Sequence, residues 1–473
     1  MQLNIGYIGV DQICFTGNKA AEYERGRKEL LAHEKKFGFK LTAYPHTIIT
    51  REEAEEAAAF FIKKGADFIL VQNSSFAAGE TILPFADTGL PIGLWAVPEP
   101  AKTGYLPLNS FCGINMYGSI LANYRKHRDV KYKYFFGYAS DAEFAERLRL
   151  TAAALLAVKR FKKAKVALVG GIAPGFNDLY FDERVIEKLL GTNIQRNHSY
   201  EEIKKLAESY TDAQIADYLT ESMKPYKKMC AGAKKDMPIN ARFLKAHEDF
   251  ASEYGYEGLA ISCWPKIQAD FGACACHSLA KLNQRGIVAA CEGDIPGALG
   301  MLLLKYLSGD KVTTLLDLVS YDEADETMQL WHCGPTAECF ADEDGIMLST
   351  IHEHTNKEGT ETRDLRYVHD MNIKPGAATV ACFCKDFSEM FIASGVFCAN
   401  KKERFHGSAG WLGEMTVNRK PIGAKDMIST IMSRGIQHHF PVILGDYTKE
   451  LMEFAAWLGL PGIENVSYED YKK

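Results

Sequence analysis

The stretch IVAACEGDIPGAL, residues 287–299, decides how this chain is built. Its first five residues, Ile287–Cys291, are apolar and read as a short buried strand. The run stops at Glu292-Gly293-Asp294. Pro296, Gly297 and the apolar helical pattern Ala298–Leu307 follow at once. Strand, acidic turn and helix in this order are one βα step of a parallel sheet. In open α/β sheets, ligands sit at the carboxyl ends of the strands. Side chains two apart on an extended chain point the same way, so Glu292 and Asp294 are expected to face one crevice. Asp294 also stands where an N-cap belongs. Two acids closing a buried strand exceed what capping needs, and the functional reading is preferred.

Outward from this stretch, the preceding sequence repeats the same grammar. Strand signals at Leu3–Val10, Lys40–Tyr44, Asp67–Gln72, Pro91–Val97 and Tyr134–Tyr138 alternate with helical patterns at Ala20–Phe37, Thr50–Lys64 and Asp141–Phe161. Thr50-Arg-Glu-Glu53 is a capping box. A second α/β run starts at Lys165–Gly171 and continues through Gly258–Cys263 to Ile287–Cys291. Its glycine-rich loop Gly170–Gly175 lacks the spacing that cradles a pyrophosphate. The lysine-rich stretch between Tyr200 and Phe250 reads as solvated helix. After about Asp325 the signals turn β-rich, with Gly and Asn/Asp turns between short strands from Gln329–His332 to Glu414–Val417, and two closing helices. The expected fold class is α/β. Two parallel-sheet domains, 1–162 and 163–325, precede a β-rich, antiparallel, barrel-like domain, 326–473. The acids lie in the second domain and His438/His439 in the third.

Composition narrows the classes. The chain has 473 residues, 47% hydrophobic and 25% charged, with a net charge of −6. That balance argues against nucleic acid and against an anionic membrane surface. No apolar run approaches the roughly 18 residues of a membrane span, and no secretory leader opens the chain, so a cytoplasmic protein is expected. The 12 cysteines lie mostly in apolar segments. The C-x-C pairs Cys274/Cys276 and Cys382/Cys384 lack zinc-site spacing, so reduced, mostly buried thiols are expected.

Three further polar clusters accompany Glu292 and Asp294. Adjacent histidines, His438-His439, precede the apolar run Val442–Leu444. Neutral imidazole is a common metal ligand, and strand neighbours face opposite ways, so one is expected to bind a metal while the other meets substrate. Trp331-His332-Cys333-Gly334-Pro335 ends a strand and suits a pocket wall or core packing equally. Ser262-Cys263-Trp264-Pro265 ends another strand, and Asp270 follows, one βαβ step before Asp294. Asp270 is either a second carboxylate or a helix cap. Two or three carboxylates with one histidine make a hard site suited to Mn²⁺ or Mg²⁺. Such an ion polarises a carbonyl and its neighbouring hydroxyl while a carboxylate moves a proton, the chemistry of aldose–ketose isomerisation through a cis-enediol.

The combination of CWP at Cys263–Pro265, AACEGDIPGAL at Ala289–Leu299, LWHCG at Leu330–Gly334 and HHFPVILGD at His438–Asp446 resembles the L-fucose isomerase-like family, with L-arabinose isomerases as more distant relatives. The resemblance implies two flavodoxin-like domains followed by a β-rich one. It implies cytosolic homo-oligomers, hexamers or trimers, with sites near subunit boundaries. It also implies Mn²⁺, with Mg²⁺ or Co²⁺ as substitutes, held by a Glu, an Asp and a His. Asp294 matches the metal Asp, and His439 is the preferred match to the metal His. Asp270 matches the first carboxylate by spacing, and Glu292 competes for that place. Asp270, Glu292 and Asp294 are then the proton-transfer candidates. Trp95, Asn115, Trp264, His332 and His438 are the expected substrate contacts. The expected substrate is a hexose, a pentose or a modified, anionic hexose. The alternatives are an epimerase or dehydratase acting on a sugar, and a non-catalytic sugar-binding protein.

Overall fold

Leu3–Val10 forms β1, with all eight residues buried. A strand apolar on both faces belongs in a parallel sheet covered on both sides. The computed structural model describes residues 1–124, 130–224, 226–354 and 356–471. The chain divides into two compact units, Met1–Lys159 and Arg160–Lys473.

In the first unit β1 joins β2 (Phe39–Ala43), β3 (Phe68–Asn73), β4 (Ile92–Ala96) and β5 (Tyr132–Phe136). All pairings are parallel, in the order β2-β1-β3-β4-β5. The helices between them follow the sequence signals. Lys19–Phe37 is capped by Asn18 and stopped by left-handed Gly38. Arg51–Lys63 opens with the expected capping box, in which Glu53 N–H donates to Thr50 Oγ1 at 3.2 Å and Thr50 N–H to Glu53 Oε2 at 3.1 Å.

The second unit begins with β6 (Lys165–Val169), β7 (Asn193–His198), β8 (Lys228–Met229), β9 (Gly258–Ile261) and β10 (Val288–Ala290). A parallel sheet runs β10-β9-β6-β7. β7 was not expected from its polar sequence, NIQRNH, which an edge strand tolerates because one side faces water. The glycine-rich loop after β6 runs into a short 3₁₀ turn, Asn177–Leu179.

The remaining strands are β11 (Thr314–Asp322), β12 (Thr327–His332), β13 (Met347–His354), β14 (Thr362–Asn372), β15 (Gly376–Cys384), β16 (Glu389–Phe397), β17 (Ser408–Val417), β18 (Lys420–Pro421) and β19 (His439–Leu444). The run β12-β11-β19-β15-β16-β17 is antiparallel throughout, and a β12–β17 pairing closes it into a barrel. β14, β13 and β8 extend the sheet beyond β17. The barrel is filled by alternate residues such as Leu316, Leu330, Val380, Leu412 and Phe440. Its first strand starts at Thr314, ahead of the compositional change near Asp325.

The buried helix Ile295–Leu307 connects the two sheets of this unit. It packs on β9 and β10 from one side and on β19 and β15 from the other. Gly300 permits this approach, since a Cβ there would lie 2.6 Å from Pro441 Cγ and 2.9 Å from the Ala381 carbonyl oxygen. Residues 287–299 therefore lie at the junction of parallel sheet and barrel.

Among the described residues no helix is long and apolar enough to cross a membrane. The cysteines are free thiols.

Candidate metal centre

The turn after β10 is bent by two left-handed residues in succession, Glu292 at φ 60° and Gly293 at φ 77°. A glutamate in this region carries a local cost of order 1–3 kcal/mol, and such residues cluster at functional sites. Three hydrogen bonds hold the bend. Gly293 N–H donates to the Ile261 carbonyl at 3.1 Å, Asp294 N–H to the Cys291 carbonyl at 3.1 Å, and Ala173 N–H to the Glu292 carbonyl at 2.9 Å. The last comes from the glycine-rich loop, which thus anchors the site. Gly293 is irreplaceable in shape, because a Cβ there would lie 2.3 Å from the Gly171 carbonyl oxygen.

The bend separates the two acids instead of aligning them. Asp294 is fully buried. Its Oδ1 accepts the Gly297 N–H at 2.8 Å as the helix N-cap, and its Oδ2 pairs with His439 Nδ1 at 2.9 Å. Both oxygens are occupied, and Asp294 orients the imidazole. Glu292 instead points its Oε2 to within 3.5 Å of His439 Nε2 and 3.4 Å of His438 Nε2.

His439 is fully buried at the head of β19. Phe440 and Val442 face the barrel core, so His439 faces outward. The β11–β19 register sets Asp317 directly opposite His439. Residues opposed on an antiparallel pair share a face. Asp317 Oδ1 accordingly lies 3.5 Å from His439 Nε2. That oxygen is shielded from solvent and has no hydrogen-bond partner among the described residues. Buried polar atoms are normally paired, and an orphaned one calls for an explanation such as an ion. Glu292 Oε2 and Asp317 Oδ1 thus each approach His439 Nε2, and Glu292, His438 and His439 form one close three-donor set among the described residues.

Around them, His438 Nδ1 pairs with Asp178 Oδ2 at 2.6 Å. Its ring lies 5.4 Å from that of Phe176, which in turn meets Trp264 edge-on at 6.3 Å. Trp264 is 39% exposed, so this aromatic wall reaches solvent. Burial alone would raise the Glu292 carboxyl. The hydrogen bond from His438 and the charges of His332 and His439 outweigh it and hold the carboxyl below its ordinary value. Burial opposes a charge on His438, but Glu292 and Asp178 raise its pKa in spite of it.

Asp270 is not brought here. It lies on the short helix Lys266–Phe271, with its Oδ2 2.8 Å from Lys204 Nζ and 3.2 Å from the Tyr200 hydroxyl. The structure thus takes Asp270 to Lys204 and Tyr200 and Asp294 to Gly297 and His439, and does not bring the two acids together. His332 is buried against Cys291, Nε2 to Sγ at 2.8 Å, and does not face an open pocket. Trp95 and Asn115 belong to the first unit. Trp95 is a core residue, 1% exposed, with its indole N–H on the Gly137 carbonyl at 2.8 Å. Asn115 is exposed and lines a groove of about 470 Å³.

Sequence reasoning missed Asp317, Asp178 and Phe176. Asp317 left one trace, a lone acid inside the apolar run Leu315–Val319. Asp178 left none.

The proteins to which this chain is similar bear the name isomerase. A sulfoquinovose isomerase of Alkalicoccus urumqiensis is 26% identical over 425 residues, spanning 89% of this chain and 91% of that protein. Sulfoquinovose isomerases of Priestia megaterium (strain ATCC 12872 / QMB1551) and Clostridium sp. (strain MSTE9) are each 26% identical, covering 88% and 86% of this chain and 90% and 88% of their own lengths. No protein-family model matches the chain. Among solved structures, a solute-binding protein from Agrobacterium vitis bound with alpha-D-tagatopyranose is 14% identical, covers 66% of this chain and 91% of its own, and superposes with a TM-score of 0.18. A likeness that weak bears on neither fold nor function.

Proposed function

We propose that this chain is a divalent-metal-dependent aldose–ketose isomerase of the fucose isomerase-like kind, acting on an anionic sugar such as a sulfonated hexose. The observation that carries the reading is the convergence of Glu292 and Asp317 on His439 Nε2, each carboxylate oxygen 3.5 Å away. The end-to-end similarity to sulfoquinovose isomerases supports the substrate class.

The donor set fits a hard cation, Mn²⁺ with Mg²⁺ or Co²⁺ as substitutes. Glu292, Asp317 and His439 would hold it. When bound, it supplies polarisation of the sugar carbonyl and the adjacent hydroxyl. Asp294 takes the Nδ1–H of His439 and leaves Nε2 as the ligand nitrogen, an arrangement that fixes tautomer and ring orientation.

In this reading the protein side chains move the protons. Glu292 accepts the C2 hydrogen of the aldose as a proton and returns it to C1 of the cis-enediol, while the proton of the C2 hydroxyl passes to the C1 oxygen. His438, held through Nδ1 by Asp178, presents Nε2 to Glu292 and to the sugar hydroxyls. Phe176 and Trp264 offer flat apolar faces to the sugar ring and limit water around the enediol. In the cell, we take the chain to work as a cytoplasmic homo-oligomer.

The test is ketose formation from a panel of aldoses that includes sulfoquinovose, run in D₂O so that C2 hydrogen exchange is read alongside turnover. Glu292→Gln is expected to lower kcat by about 10²–10⁴ and to abolish the exchange. Full turnover by metal-stripped protein, or no ketose from any aldose, overturns the reading.

A further inference from the structure

We propose that this centre has a second, thiophilic mode of cation binding. Cys291 Sγ, His332 Nε2 and His439 Nε2 hold a thiophilic divalent ion such as Zn²⁺ or Cd²⁺, with the borderline ion Co²⁺ as a spectroscopic probe. This mode excludes the hard ion, because both use His439 Nε2. That exclusion rests on the reading in the preceding section; the thiolate site itself does not.

Position comes first. Cys291 directly follows β10, immediately before the left-handed bend that turns Glu292 the other way. Sulfur and carboxylate therefore approach His439 separately, as two alternative partners of one nitrogen. The three donor atoms lie within 4.8 Å of one another. Cys291 Sγ is 3.8 Å from His439 Nε2 and 2.8 Å from His332 Nε2. With Zn–S near 2.3 Å and Zn–N near 2.05 Å, donors on one tetrahedral ion stand about 3.3–3.8 Å apart. The first separation already fits, and the second has to open by less than about 1 Å. Cys291, His332 and His439 are 1%, 2% and 0% exposed, so a bound ion would be closed off from bulk solvent. Two imidazole nitrogens and one thiolate make an N₂S set of the kind that favours zinc over magnesium, with the fourth place left to water.

The Cys333 backbone N–H donates to His332 Nδ1 at 2.8 Å, so the neutral ring carries its hydrogen on Nε2, facing Cys291. Coordination needs that nitrogen free. The hydrogen moves to Nδ1, which gives up the Cys333 backbone N–H and donates instead to Cys333 Sγ, 3.1 Å away. His332 stays neutral, and the Cys291 thiol releases one proton to solvent as its sulfur binds.

The experiment strips the full-length protein of metal and titrates it with Co²⁺, Cd²⁺ and Mn²⁺. One Co²⁺ per chain is expected to give an intense near-ultraviolet sulfur-to-cobalt charge-transfer band that is lost in Cys291→Ser. Cd²⁺ is expected to displace Mn²⁺ from the wild type, and at least about tenfold less effectively from Cys291→Ser. Saturating Co²⁺ without a sulfur band overturns the proposal. So does a band undiminished in Cys291→Ser, or simultaneous binding of Cd²⁺ and Mn²⁺. Should Cys291→Ser fail to fold, the ¹¹³Cd chemical shift of the wild type decides, since a value typical of nitrogen and oxygen donors alone overturns the proposal. None of these readouts uses turnover. A thiolate band in a chain that isomerises no sugar would keep this site and sink the proposed reaction. Isomerisation without the band would do the reverse.

Discussion

At the scale of single residues, His439 is the pivot, and its four polar neighbours divide its two nitrogens. Asp294 takes Nδ1, while Glu292, Asp317 and Cys291 face Nε2. This division makes the roles of the acids separable. Asparagine caps helices as well as aspartate does, so Asp294→Asn should keep the fold and weaken Mn²⁺ binding by about 10–100-fold. Asp317→Ala should abolish Mn²⁺ binding, and Asp270→Ala should leave it unchanged. Calorimetric titration with Mn²⁺ checks all three. A larger loss in Asp294→Asn than in Asp317→Ala would place Asp294 on the ion. The sequence singled out two short stretches, CEGD and HH, which the structure brings together, but not how the two acids of CEGD point. An extended chain predicts that Glu292 and Asp294 point together. Two left-handed residues turn them apart, and nothing local in the sequence announces a left-handed glutamate.

At the scale of elements, turns and caps carry the architecture. Gly293 is left-handed and in contact with the Gly171–Ile172 backbone. Gly293→Ala should therefore destabilise the second unit by on the order of 3 kcal/mol, read as a lower denaturant midpoint. A loss of only a few tenths would show that the loop after β6 yields easily. In the first unit, Thr50→Ala removes one half of the capping box and should cost about 1 kcal/mol. Both halves of that box were legible from Thr50-Arg-Glu-Glu53, because capping is a local interaction between residues three apart. β11 was not legible. Its strand pattern begins inside the apolar stretch that follows the helix Ile295–Leu307, and only its partners β12 and β19 define it.

At the scale of the whole molecule, buried histidines tie stability to pH. His247 and His369 are buried, and burial pushes each imidazole down to about 4, against the hydrogen bonds that their Nδ1–H groups donate to the Phe243 and Thr336 carbonyls, which raise it. His277, which shares the Tyr226 hydroxyl with His369, is also pushed well down, by burial and by the charges of His369 and Lys281. The unfolded chain binds these protons near the ordinary pKa of 6.5, and the folded chain does not. Their contribution is thus present above pH 6.5 and is lost as pH falls toward 4. Within that window each group lowers stability by up to about 1.4 kcal/mol per pH unit. Urea unfolding between pH 7.5 and 4.5 should show the decline, and His247→Leu should make it shallower. An unchanged slope in that variant would mean that His247 is protonated in the native state.

Composition and local pattern by themselves determined the alternation of strands and helices, the β-rich character of the last third and the segments from which the site is drawn. These are short-range properties: strand burial, helix periodicity and caps are written within a few residues of where they act. Tertiary structure alone decided the membership of the site. Asp317 reaches His439 through an antiparallel register, Asp178 reaches His438 across 260 positions, and Asp270 is drawn away to Lys204. The reason is physical. Convergence of side chains depends on strand register, on barrel closure and on the backbone bend at Glu292, and each is set by packing between segments far apart in the chain.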